Sequence, residues 1–343
     1  MAEYISFQPS DFFNPKLYTG TGAELAITGV GFQPDLIWNK ERSGTEGQNW
    51  TDSVRGATKY IMSNNTDGES TNVQSVKSFD SDGFTLGTFD GMNTNTETYV
   101  SWNWKMGTTS GLSGGTITPS SYSISTTARQ SIIAYTGTGA VATVPHGLGV
   151  KPDLIITKQY NTGRNWSSYW TPLTAEEYLI PNTTAAAAAG STFWAQTEPT
   201  STVFSVGSAD ETNGTGTMVA YCFANTTGYS KFGSYIGNGN ADGTFIYTGF
   251  RPAYILVKRN EAAYNWGLQD TARDTYNPAD KTLNADDAAS VQTGSGQYID
   301  YLSNGFKMRN SSSWWNGNGA EFIYAAFAEF PIVSSNDVPT VAR

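Results

Sequence analysis

Five short blocks recur three times, in one order, along this chain of 343 residues. Such a repeat constrains architecture before any single residue is interpreted, because each copy must be one supersecondary unit built on the same plan. The first block is YTGTG at Tyr18, YTGTG at Tyr135 and YIGNG at Tyr235, so the copies are offset by 117 and then 100 residues. The second is GFQPDLIWNKE (31–41), GVKPDLIITKQ (149–159) and GFRPAYILVKR (249–259). An Asn-Trp pair follows at Asn49-Trp50, Asn165-Trp166 and Asn265-Trp266. Next come GFTLG (83–87), VFSVG (203–207) and GFKMR (305–309). Each copy closes on an alternating run: TYVSWNWK (98–105), TMVAYCFA (217–224) and EFIYAAFA (321–328).

These blocks read as strands and turns. Pro34, Pro152 and Pro252 can each open a strand, where a missing N–H costs no ladder bond, and a short apolar run follows. In the closing runs the period is two, which puts Val100, Trp102 and Trp104 on one face, as it does Val219, Tyr221 and Phe223, and Ile323, Ala325 and Phe327. The expected fold is all-β, with three tandem β-sandwich or jelly-roll-like repeats. The pattern divides the chain into an N-terminal arm (1–17), repeat 1 (18–106), a linker rich in Gly, Ser and Thr (107–128), repeat 2 (129–228), repeat 3 (229–332) and a C-terminal tail (333–343). Three like units can surround a pseudo-threefold axis, which would hold Trp50, Trp166 and Trp266 at similar radii, or string out as beads.

Composition narrows the function. Aromatics make up 13% of the chain and charged residues only 15%, against about 25% in an ordinary domain, so hydroxyls and amides must carry the surface. The net charge is −10 and the basic residues are scattered, which argues against a nucleic-acid partner. The longest apolar stretch, 322–333, contains Glu329 and Pro331, so no membrane insertion is expected. The opening MAEYISFQPSDFF has no basic or apolar leader segment, and Cys222 is the single cysteine, which suits folding in a reducing compartment.

No catalytic constellation emerges, and the chain is expected not to be an enzyme and to need no cofactor. His146 is the only histidine and sits in the PHGLG turn; Cys222 lies mid-strand as a small apolar filler. Asp80 and Asp82 resemble the start of a calcium loop but lack the later acidic ligand. The repeated tryptophans read as core. Aromatics confined to one copy are the better binding candidates, for a glycan or a protein partner: Tyr169, Trp170, Trp194, Trp314 and Trp315. The arm contributes Tyr4, Ile5, Phe7, Phe12 and Phe13 as candidate anchoring residues.

The blocks GFQPDLIWNKERSG, NWTDSVRGATKYIMSN, SFDSDGFTLG and TYVSWNWK resemble a domain common in structural proteins of marine tailed phages, cyanophages especially, as does the ending FAEFPIVSSNDVPTVAR. Copy two departs from this pattern, having SYWTPLTAEEYLIPN in place of DSVRG. The resemblance implies a virion protein made in the host cytoplasm and released by lysis, decorating the head or serving as a head fibre or tail appendage. Its partners would be other capsid or tail proteins. Separately, the chain is expected to form a homo-oligomer, for which a trimer is one arrangement. The alternative is a tail-fibre protein recognising host-surface polysaccharide through exposed aromatics.

Overall fold

The computed structural model describes residues 7–329 and the backbone of 332–333 and 339–340. Almost all regular structure is antiparallel strand, as the alternating runs require. Three large sheets carry one shared strand order. In the first, Phe13–Thr19 pairs with the closing strand Thr98–Trp104, which pairs with Leu36–Glu41, which pairs with Asn49–Asp52. The second repeats this with Gln130–Thr136, Thr217–Phe223, Leu154–Gln159 and Trp166–Trp170. The third does so with Ser230–Ile236, Glu321–Ala328, Pro252–Arg259 and Gly267–Asp270. A small sheet faces each large one: Leu25–Thr28, Gly83–Leu86 and Val76–Asp80; Ala142–Pro145 with Val203–Val206; and Phe245–Tyr247, Gly305–Met308 and Ile299–Leu302.

The period-two pattern of the closing strands is decisive, because both of their faces are buried. In unit two, Met218, Ala220 and Cys222 enter a core private to that unit. Val219, Tyr221 and Phe223 point the other way, into a core shared with Val100, Trp102, Trp104, Ile323, Ala325 and Phe327 of the other two units. Three sandwiches thus keep separate inner cores and bury their outer large-sheet faces against one another. A strand with two dry faces should read as continuously apolar, and these strands nearly do.

The YxGxG block closes each unit. Tyr18, Tyr135 and Tyr235 donate their hydroxyls to the carbonyls of Met92, Thr212 and Trp315 at 2.8, 2.5 and 2.7 Å. The next residue in each case is a buried asparagine. Asn93, Asn213 and Asn316 accept the N–H of Thr21, Thr138 and Asn238, and donate to the carbonyls of Gly87, Gly207 and Asn310. Glycine is required at the centre of the block. A Cβ on Gly20, Gly137 or Gly237 would sit 2.1, 1.9 or 2.3 Å from a carbonyl oxygen of the facing loop.

Two boundaries differ from the sequence reading. The first unit begins at Phe13, since Phe13–Thr19 is a full strand of its large sheet. The linker, 107–128, is structured: Ser121–Ser125 pairs with Gln130–Thr136, and Ile117 and Ile124 fill the flank of unit two's core. A Gly/Ser/Thr-rich composition hid this because each apolar residue there stands alone between polar neighbours.

Asn213→Ala removes an acceptor and a donor from a dry site. We expect about 2 kcal/mol lower stability in urea unfolding, since buried partners are left unsatisfied. A loss under about 0.5 kcal/mol, the size of an ordinary surface change, would contradict the clamp.

Candidate functional site: the junctions between the units

The residues that distinguish this chain from three independent sandwiches lie where the units meet. Trp104, Phe223 and Phe327 hold the same position in the three closing strands, and each ring touches the other two at centroid distances of 6.3, 5.5 and 5.8 Å. Deeper in, Trp50, Trp166 and Trp266 line a single apolar cavity of about 30 Å³, together with Trp38, Ile156 and Leu256. The cavity is smaller than the side chains around it, so this is close packing rather than a ligand site.

Polar contacts between units run in one cyclic sense. Asp52 of unit one accepts the hydroxyl of Tyr221 of unit two at 2.7 Å and is clamped by Arg55 Nε at 2.6 Å. Asp270 of unit three accepts the indole N–H of Trp102 of unit one at 3.0 Å and is clamped by Arg273 Nε at 2.6 Å. Both aspartates and their guanidinium partners are buried. Burial raises the Tyr221 hydroxyl well above its ordinary pKa, so it stays a donor. The neighbouring carboxylates hold Arg55 charged despite its burial. At the third junction the corresponding closing-strand residue is Ala325, which has no side-chain donor. There the Asp and Arg positions are Trp170 and Leu173, and Trp170 lies 5.9 Å from Trp266 of unit three. The departure of copy two from the DSVRG pattern is therefore matched to what faces it. A buried ion pair lacking its third partner would be costly, whereas an apolar pair is not.

Three lysines repeat the cyclic pattern. Lys40, Lys158 and Lys258 are each fully buried near the end of a strand that begins with an apolar run. Lys40 Nζ donates to Glu46 O at 2.8 Å in its own unit and to Ala288 O at 3.1 Å in unit three. Lys158 donates to Arg164 O in its own unit and to Thr66 O of unit one at 2.9 Å. Lys258 donates to Tyr264 O at 2.7 Å and to Thr184 O of unit two at 2.9 Å. Burial brings all three down to about 8, against the partial opposition of acidic neighbours: Glu41, Asp287 and Glu46 at Lys40, Asp67 and Glu211 at Lys158, and Asp286 at Lys258. The aligned lysine inside each IWNKE-type block was the available signal, and sequence reasoning passed over it.

The sequence-nominated residues fall elsewhere. Tyr169, Trp170, Trp194 and Trp315 are at most 1% exposed, so they are core and not glycan-stacking surfaces. Trp314 is half-buried, with its N–H on Asn265 O at 2.7 Å. Being unique to one copy marked these aromatics as adjusting the packing of that copy. Of the arm, Phe13 is buried and stacks on Phe327 at 5.0 Å, while Phe7 and Phe12 lean on Tyr229 at 5.5 and 6.3 Å. Phe13 therefore belongs to the shared core, Phe7 and Phe12 are partly buried against it, and Tyr4 and Ile5 lie outside the described residues. Asp80 accepts the hydroxyls of Ser78 and Thr85, whereas Asp82 caps the N–H groups of Gly29 and Gly31, so the two carboxylates serve separate donors and do not converge as calcium ligands. His146 is buried, with Nδ1 accepting from Leu148 N and Nε2 on Thr200 O, and burial pulls it down to about 4. The Cys222 thiol is pushed up to about 12 by burial. A cleft of about 620 Å³ runs between unit one and the strand Ser121–Ser125. Its one carboxylate, Asp35, is taken up by Ser53 Oγ, Ser123 Oγ and Met106 N.

Two measurements test the junctions. Tyr221→Phe should cost about 2 kcal/mol, a hydrogen bond to a charged group. Trp170→Asp combined with Leu173→Arg should cost about 3 kcal/mol or more, because Ala325 leaves the new aspartate without its third partner; a neutral result would refute the matching. For the lysines, the folded pKa lies below the unfolded value of 10.5, so the unfolded chain binds more protons between about pH 8 and 10.5. Stability should therefore rise from pH 7.5 to 9.5, before tyrosine ionisation in the unfolded chain reverses it. The rise should be shallower in Lys158→Met, and an unchanged slope would rule out the shift.

No curated protein and no solved structure matches the chain. A family model, described as a domain of unknown function (DUF7483), matches residues 8–331, which spans all three units. With nearly its whole length matched, the chain belongs to the DUF7483 family.

Proposed function

We propose that this chain is a non-enzymatic structural component of a phage particle, acting through protein–protein assembly, with its three units closed as a pseudo-threefold ring. The observation that carries the reading is the cyclic set of junction contacts: Asp52 to Tyr221, Asp270 to Trp102, and Trp170 against Trp266. Such contacts hold three sandwiches in one fixed arrangement, and rigidity of that kind suits a part that must persist outside a cell. The stability is mostly apolar, so salt weakens it little. The only histidine and cysteine are buried with pKa values moved away from neutrality, which suits packing rather than proton transfer or attack. The resemblance to marine tailed-phage structural proteins supplies the particle; head and tail positions are both compatible with it.

A single chain of this form would stand where three single-unit subunits otherwise would. Host-polysaccharide recognition loses four of its five candidate aromatics, Tyr169, Trp170, Trp194 and Trp315, because they are buried, and Trp314 is half-buried.

Docking on the particle would then fall to residues that the shared core does not use, and the start of the chain is the candidate for it. A deletion reaching residue 14 would also take Phe12 and Phe13 out of the core, so the informative deletion spans residues 2–6. We expect the shortened protein to keep its far-UV circular dichroism and thermal midpoint, and to be lost from purified particles assayed by mass spectrometry. If the full-length protein is missing from purified particles, the reading itself fails. If only the shortened protein is retained normally, docking lies elsewhere on the surface.

A further inference from the structure

The flank of unit three differs from the flanks of the other two. Three positions there are exposed and apolar: Ile236 at 54%, Phe245 at 42% and Tyr247 at 65%. Pairing register equates them with Thr19, Ala26 and Thr28 in unit one and with Thr136, Thr143 and Pro145 in unit two. In unit two this flank is also covered, by Ser121–Ser125 on the edge strand and by Thr116 and Ile117 bonded to Thr143 O. No such segment intervenes before unit three, because only five residues separate Ala224 from Ser230.

Beside Tyr247 lies a cleft of about 480 Å³, lined by Arg129, Asn225, Thr226, Lys231 and Thr248. Neither Arg129 nor Lys231 has a carboxylate within ion-pair distance among the described residues, in a chain whose net charge is −10. The Tyr247 ring lies near Gly249, 3.7–3.9 Å from where a Cβ there would stand, and is otherwise largely open. One open aromatic ring, two cations without a carboxylate partner, and a rim of hydroxyls and an amide are set around one cavity.

We propose that this cleft binds an anionic saccharide, with a sugar ring on Tyr247 and its carboxylate or sulfate between Arg129 and Lys231. The inference goes beyond the structural role and does not depend on it. An extended peptide is the competing occupant, and the edge strand argues against it. Thr226 already exchanges both backbone bonds with Ser230, the Phe232 N–H is capped by Asn225 Oδ1, and Thr244 Oγ1 holds the Ile236 carbonyl. Little of that edge is left to pair with a strand. The lining suits a ligand recognised by an apolar face, hydroxyls and a localised negative charge.

The test is titration of the full chain at pH 7 with trigalacturonic acid, maltotriose and hexaglutamate, followed by calorimetry and by heteronuclear NMR shifts. We expect saturable binding of trigalacturonic acid, weakened about tenfold by Tyr247→Ala and by Lys231→Gln with the thermal midpoint unchanged. Maltotriose should bind more weakly than the acid. Any of three results would overturn the proposal: no saturable binding of trigalacturonic acid at millimolar concentration, binding indifferent to both variants, or hexaglutamate binding as tightly as the saccharide.

Discussion

Everything in this molecule depends on burying both faces of the three closing strands. One face of Thr217–Phe223 satisfies its own sandwich and the other satisfies the neighbours, so no unit has a water-compatible outer face on its large sheet. Exposing Trp102, Trp104, Tyr221, Phe223 and Phe327 together would uncover an apolar patch far beyond what a soluble domain carries. The shared core is therefore a condition of each unit's solubility as well as a contact between units. It also explains the low proportion of charge, since a large share of the surface of three small domains has been turned inward.

Polar groups inside that core obey a stricter rule than the aromatics do. An indole or phenol can slide a little and keep its dispersion contacts, but a carboxylate in a dry site needs every lone pair answered. Asp52 and Asp270 each have an arginine and a donor from the next unit, and the site that lacks a facing donor carries Trp170 and Leu173. The three lysines are answered the same way, by carbonyls from two units at once. Apolar packing supplies most of the cohesion, and these groups set the registration of one unit on the next.

Much of the fold was legible in the sequence. The alternation in TYVSWNWK, TMVAYCFA and EFIYAAFA placed the correct residues on the shared face, and the Pro-led blocks became the buried neighbouring strands. The glycines of YxGxG were visible as motif, but their reason was not, because it lies in a carbonyl more than seventy residues away. Lys40, Lys158 and Lys258 stood in aligned columns and looked like ordinary strand charges, since a single residue does not announce that its partner carbonyls come from another unit. The copy-specific aromatics misled for a related reason. Trp170 and Trp315 are unusual because their surroundings inside the core are unusual, and sequence does not distinguish that from unusual exposure.

Joining the three units in one chain has a consequence for how such a protein can change. In a ring of identical subunits, a substitution at one junction appears at all three, so losing the tyrosine or tryptophan donor would strand three aspartates at once. Here the junctions are separate stretches of one gene product. One of them could exchange an ion pair for Trp170 and Leu173 against Ala325 while the other two kept theirs. The same independence lets a single flank, that of unit three, acquire Phe245 and Tyr247 without tripling the exposed apolar surface. With the three units in one chain, each junction is a separate site that can be altered alone.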